Sequence, residues 1–118
     1  MKTLTEGVIG AFFDVSNAPG TGFLEKVYER ALVAELRLRG IKVSSQTAYE
    51  VRYKGFVVGD YVPDLLVEDV LLVELKCAER FSDEHLAQCL NYLRASGLRL
   101  CLLVNFQKDR VEWKRVAL

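Results

Sequence analysis

The feature that most constrains the fold is a pair of apolar runs, Val62 to Val67 and Leu71 to Lys76, separated by the turn-forming Glu68-Asp69. A strand with one face in water alternates apolar and polar residues, whereas these runs are apolar on both faces, as in strands at the centre of a sheet covered on two sides. Asp64, Glu74 and Lys76 are the only charges inside them. An unpaired charge in such a place costs several kcal/mol, so these side chains must pair with one another or bind a cation.

Glu74 and Lys76 are two apart and share one strand face, while Val73 and Leu75 point to the other. If the turn between the strands has an odd number of residues, for instance Glu68-Asp69-Val70, Asp64 lies directly opposite Glu74 with Cβ atoms about 5 Å apart. An even turn spoils that alignment. Two carboxylates so close, with a lysine beside them, suit a hard cation that takes oxygen ligands in octahedral geometry, Mg²⁺ first and Mn²⁺ as a substitute. The plain alternative is that Lys76 simply pairs with Glu74 or Asp64 at a strand end.

The rest of the chain supplies the covering layers. Leu4, Val8, Ala11, Phe12 and Val15 are at helical spacing over residues 3–16, and Thr3-x-x-Glu6 reads as a capping box. Asn17-Ala18-Pro19-Gly20-Thr21-Gly22 breaks this helix in a short, stiff loop, and a second runs from about Phe23 to Arg39 before Gly40. Ile41 to Lys76 predicts three or four strands in a meander, punctuated at Lys54-Gly55 and Glu68-Asp69. Ser82 opens a third helix that ends at Gly97, and Arg99 to Phe106 and Val111 to Val116 supply two more strands. The expected order is ααβββ(β)αββ, an α/β (α+β) layered domain with no internal repeat. At 118 residues there is room for one domain, 1–118.

Charge and cysteine usage narrow the function classes. Sixteen basic residues balance sixteen acidic ones, against the very basic balance of a nonspecific nucleic-acid coat. The segment Asp60 to Glu84 is nevertheless net −6 and the remainder net +6, which suits a cation site beside a phosphate-binding surface, and equally suits solvated loops with chance clustering. Cys77, Cys89 and Cys101 form no Cys-x-x-Cys pair and indicate neither a disulfide framework nor a zinc knuckle. No apolar run reaches the roughly 18 residues of a membrane span, and the first six residues lack a secretory signal's apolar stretch. A soluble protein of a reducing cytoplasm, with no membrane partner, is the expectation.

Pro63-Asp64, then Glu74-Leu75-Lys76, resembles the signature of the PD-(D/E)XK nuclease superfamily. Gly22-Phe23-Leu24-Glu25-Lys26-Val27-Tyr28 is similar to the motif that names the GxxExxY proteins, a small family within it. The resemblance runs from about Gly22 through Asn105-Phe106 and implies a restriction-endonuclease-like core: a central mixed β-sheet flanked by helices, in the order helix, three strands, helix, strand. Gln88-x-x-x-Tyr92 resembles a motif of RecB-like nucleases, and its four-residue step puts both side chains on one helix face. RecB-like enzymes often carry a histidine on the helix before the sheet; here the only histidine, His85, lies in the later helix and is read as a surface or capping residue.

What the resemblance implies is phosphodiester hydrolysis with Mg²⁺. Asp64, Glu74 and the Leu75 carbonyl would hold the metal, Lys76 would act on the attacking water and the developing charge, and Glu25 would reach the metal through water. Gln88, Tyr92 and Tyr28 would contact substrate, with Tyr28 and Tyr92 as pocket walls. Arg52, Lys54, Arg94 and Arg99 are candidate phosphate contacts or plain surface. The implied partner is nucleic acid, DNA ahead of RNA. The rival is a non-catalytic module of the same fold that binds nucleic acid or a protein, a homodimer included.

Overall fold

A computed structural model of the protein describes residues 1–18, 23–107 and 110–118. Helix α1 spans Lys2–Asn17 and buries Val8, Ala11, Phe12 and Val15, the stripe its sequence spacing predicts. Its N-cap is Met1, so Thr3 already lies in the first turn and the expected Thr3–Glu6 capping box does not form; the Thr5 hydroxyl donates to the Met1 carbonyl instead, at 2.9 Å. Residues 19–22 of the expected helix-breaking loop, Gly22 of the motif included, lie outside the described residues. Helix α2, Glu25–Leu38, buries Tyr28, Glu29, Leu32 and Leu36 and stops where Gly40 takes φ +73, a left-handed conformation that costs glycine nothing. Arg39 fastens the end of α2 to α1 through Asp14 (2.6 Å) and the Gly7 carbonyl (3.2 Å).

Five strands follow, one more than the sequence pattern predicts: β1 (Val43–Ser45), β2 (Tyr49–Tyr53), β3 (Phe56–Tyr61), β4 (Leu65–Val67) and β5 (Leu71–Lys76). Helix α3 spans Asp83–Ser96, and β6 (Leu100–Asn105) and β7 (Glu112–Ala117) close the chain. The five are not a meander. The main sheet has the order β1-β4-β5-β6-β7, and β2–β3 form a separate two-stranded ribbon. The cause is local: Lys54 (φ +48) and Gly55 (φ +86) make a tight two-residue hairpin turn, and the chain leaving β3 returns to pair β4 with β1.

Only β5–β6 is parallel, and its crossover is α3; the other pairs of the main sheet are antiparallel. The sheet is therefore mixed and central, as expected. Helices α1 and α2 cover one face, packing on Leu65, Val67, Leu71, Val73, Leu75, Leu102 and Val104. Helix α3 covers the other, packing on Leu66, Leu72, Cys101, Leu103 and Val116. That two-sided cover is why β4, β5 and β6 are buried almost end to end. No helix among the described residues is long and apolar enough to cross a membrane.

Candidate active site

The site begins at the β4–β5 turn. Glu68 (φ +50) and Asp69 (φ +60) form its corner, and the Val70 amide closes it on the Val67 carbonyl at 3.1 Å. Three residues thus separate Val67 from its partner Leu71, the odd number that the alignment of the carboxylates requires. The register pairs Leu65 with Val73, so one step further Asp64 meets Glu74, on the face that α3 covers.

The two acidic residues interlock through the backbone. The Asp64 amide donates to Glu74 Oε1 at 3.0 Å, and the Leu75 amide donates to Asp64 Oδ2 at 2.7 Å. Within a strand a residue's N–H and C=O point to the same edge. The Lys76 carbonyl accepts from Phe106 on the β6 side, so the Leu75 carbonyl faces the Asp64 side, where β4 has no ladder partner for it. The Leu75 side chain itself is buried under α1 and α2.

Glu74 is 3% exposed. Burial, and then the neighbouring Asp64 charge, push its carboxyl up to about 9, so at neutral pH the pair holds a proton in place of a second negative charge. Lys76 Nζ lies 3.9 Å from Glu74 Oε2, close enough to feel the charge and too far for a tight ion pair. Tyr92 is buried in α3 with its hydroxyl directed at Glu74; burial and that carboxylate raise the phenol's pKa. The Tyr92 ring meets Tyr61 of β3 edge to face at 5.6 Å.

Glu25, in the first turn of α2, reaches the same end of the sheet. Its pKa is raised by burial and then by the Asp64 charge, with Lys76 and the nearby Cys77 amide opposing. Cys77, half-buried, has its thiol raised by burial and by Glu25. Gln88 is half-buried on α3, one turn before Tyr92, and among the described residues no hydrogen bond joins it to the carboxylates. His85 caps α3: its Nδ1 accepts from the Ser82 amide at 3.2 Å, while its own amide donates to Ser82 Oγ. Burial and then the Lys76 charge lower the imidazole's pKa.

One expected site residue is placed elsewhere. Tyr28 is fully buried between the helices and the opposite face of the sheet, stacked on Phe106 at 4.9 Å, with its hydroxyl accepting from the Phe23 amide at 3.3 Å. It is core and not a pocket wall, because the three-residue step from Glu25 turns it inward while Glu25 stays at the helix start. One residue not expected belongs to the site's support. Asn105, fully buried, accepts from the amides of Ala78 (3.2 Å) and Gln107 (3.0 Å) and donates to the Ala78 carbonyl (2.7 Å), pinning the chain where it leaves β5. Its signal was present: a lone polar residue at the end of the apolar run Leu100 to Val104, the pattern that singles out Glu74.

No cluster of three or more His, Cys, Asp or Glu side chains able to hold a metal forms among the described residues. The donor set is two carboxylates and a carbonyl oxygen, hard donors that leave most of an octahedral shell to water, which fits Mg²⁺ or Mn²⁺ and not a soft metal.

A sequence profile of the PD-(D/E)XK nuclease superfamily matches residues 2–116. The chain belongs to this superfamily. Among solved structures, the PD-(D/E)XK fold here is similar to an alkaline exonuclease (LHK-Exo) from Laribacter hongkongensis, at 19% identity and TM-score 0.58, over 78% of this chain and 54% of that one. The same exonuclease in complex with dAMP aligns at 15% identity and TM-score 0.55, over 91% of this chain and 74% of that one. A structure of SSO0001 aligns at 16% identity and TM-score 0.63, over 78% and 48%. The chain thus spans about half the length of the first and third of these. No protein of curated function matches its sequence. Within the matched span this PD-(D/E)XK chain carries Pro63-Asp64 and Glu74-Leu75-Lys76, the residue pattern that the superfamily's name spells.

Proposed function

We propose that the protein is a metal-dependent nuclease that hydrolyses phosphodiester bonds, in DNA ahead of RNA, with Mg²⁺ and with Mn²⁺ as a substitute. The observation that carries this reading is the placement of Asp64, Glu74 and Lys76 on one sheet face, two carboxyls locked to each other's backbone beside an ammonium 3.9 Å away. A pair that retains a proton because two negative charges cannot be borne together is a pair that a divalent cation relieves.

Asp64, Glu74 and the Leu75 carbonyl are the residues that would hold the metal. Bound there, a divalent ion lowers the pKa of a coordinated water and offsets charge on the scissile phosphate. The chain's own groups do the rest. Lys76, 19% exposed in its side chain, donates to the attacking water and to the phosphate oxygen on which charge grows. Tyr92, packed beside Glu74, confines that carboxyl from the α3 side. Glu25 supplies a further acceptor for metal-bound water, and Gln88 presents its amide to substrate from the same helix face as Tyr92. The GxxExxY resemblance, through Glu25, agrees with this assignment.

The test is cleavage of single-stranded, duplex and branched DNA and of RNA with Mg²⁺ or Mn²⁺, against Asp64→Asn. Metal-dependent cleavage abolished by that substitution supports the reading; absence of cleavage on every substrate with both metals overturns it.

A further inference from the structure

The geometry points to the groove between the β2–β3 ribbon and α3 as a binding site for one unpaired nucleic-acid strand running away from the catalytic face. This rests on the nuclease reading above and adds to it the substrate's strandedness and the element that receives it.

The groove, about 330 Å³, is lined on the ribbon side by Glu50, Val51, Arg52 and Tyr61, and on the helix side by Asn91, Arg94 and Ala95. Its link to the site is physical: Tyr61 lines the groove and touches Tyr92, whose hydroxyl is directed at Glu74. Along α3, Gln88, Asn91 and Ala95 follow at steps of three and four, so the groove continues the helix face that begins beside the carboxylates. From Gln88 to Arg94 the helix rises about 9 Å.

The lining matches the three chemical parts of a nucleotide. Arg52 and Arg94 offer guanidinium donors for phosphate. Both are held by neighbours: Arg52 by Glu50 (2.6 Å) and the Gly55 carbonyl (3.1 Å), Arg94 by Asn91 Oδ1 (3.0 Å). Each retains further N–H donors, because a guanidinium carries five. Tyr61 and Val51 give an apolar and aromatic wall on which a base packs. Glu50 limits the net positive charge of the groove, so it suits a single backbone rather than the paired phosphates of a duplex.

The test measures binding and cleavage separately on the full chain. Binding of a fluorescent single-stranded oligonucleotide, and of a blunt duplex of equal length, is followed by anisotropy across a salt series in Lys76→Ala. The same is then done in Lys76→Ala with Arg52→Ala and Arg94→Ala added; both arginines are at the surface, and circular dichroism checks the fold. The expected result is at least tenfold weaker single-strand binding and a log–log salt slope shallower by about 1.4, the loss of two phosphate contacts on a single strand. In the otherwise wild-type protein the two arginine substitutions should raise KM with kcat nearly unchanged. Unchanged single-strand affinity and slope overturn the groove, as does an equal loss for the blunt duplex. If the wild type cleaves nothing yet the arginine-dependent slope is found, the groove stands and the nuclease reading falls. If it neither binds nor cleaves, both fall.

Discussion

Asp64 and Glu74 each accept a hydrogen bond from the other's stretch of backbone: the Asp64 amide to Glu74 Oε1 at 3.0 Å, and the amide just after Glu74 to Asp64 Oδ2 at 2.7 Å. This reciprocal tie brings together two carboxyls that electrostatics alone would separate. Each keeps one oxygen outside the tie. Before any metal arrives the folded chain therefore keeps a proton on the pair, or bears the repulsion once pH rises far enough to remove it, and the consequences can be measured.

The first is stabilisation by metal. Binding confined to the native state adds RT ln(1 + [L]/Kd), about 2.7 kcal/mol at a hundredfold excess over Kd. Millimolar Mn²⁺ should raise the melting temperature by several degrees, and the Asp64→Asn/Glu74→Gln double variant should lose the shift. An equal shift in that variant would place the metal elsewhere.

The second is pH dependence. A carboxyl whose folded value of about 9 lies above its ordinary 4.5 binds its proton more tightly in the folded chain. The folded state then holds more protons than the unfolded one across that window, and stability falls as pH rises through it. The cost is absent below about 4.5 and complete above about 9. Glu74→Gln removes it, so the stability of the wild type relative to this variant, from urea titrations, should decline steadily between those limits. Metal uptake should release a proton and strengthen as pH rises. A flat difference between the two proteins would contradict the buried, repelled state of Glu74.

The third separates the tyrosines. Tyr28→Ala empties a fully buried, stacked position and should cost about 3–5 kcal/mol in chemical denaturation. Tyr92→Phe keeps the ring and removes only the hydroxyl directed at Glu74, so it should change stability little and weaken Mn²⁺ binding, read by titration calorimetry. A metal effect from a conservative Tyr28→Phe change, with none from Tyr92→Phe, would reverse the assignment.

These contrasts also show what was legible in the sequence. The carboxylate pair was visible because charges inside an apolar run have few reasons to be there, and the register followed from one turn length. Tyr28 misled because the step from Glu25 fixes a shared helical side but not how deep each residue lies; Glu25 at the first turn stays outside while Tyr28 enters the core. Five strands form where three or four were expected, since three-residue strands such as Val43–Ser45 carry too little pattern to be counted. The ribbon looked like part of a meander because its turn is readable locally, whereas the pairing of β1 with β4 depends on contacts 20 to 24 residues apart. His85 read correctly as a cap because Ser82 precedes it at the capping distance.

The fourth concerns Asn105. Replacing it with Ala removes three hydrogen bonds within the fold, at roughly 0.5–1.5 kcal/mol each, so a loss of about 2–4 kcal/mol is expected from urea unfolding. Because Asn105 holds the chain just beyond Lys76, the variant should also lower kcat at temperatures where it remains folded. Full stability in the variant would mean that water replaces the amide without cost.

The central claim is that Lys76 acts on the reaction and is more than a neighbour of Glu74. An interaction made chiefly in the transition state lowers kcat when removed and leaves substrate binding in place. The decisive measurement is single-turnover cleavage of a labelled oligonucleotide by wild type and Lys76→Ala with saturating Mn²⁺, beside the Kd of each for the same oligonucleotide. The account predicts a rate at least a hundredfold lower, about 2.7 kcal/mol or more of lost transition-state stabilisation, with Kd changed less than threefold. Cleavage within a few-fold of wild type, or a loss wholly explained by weaker binding or unfolding, would contradict it.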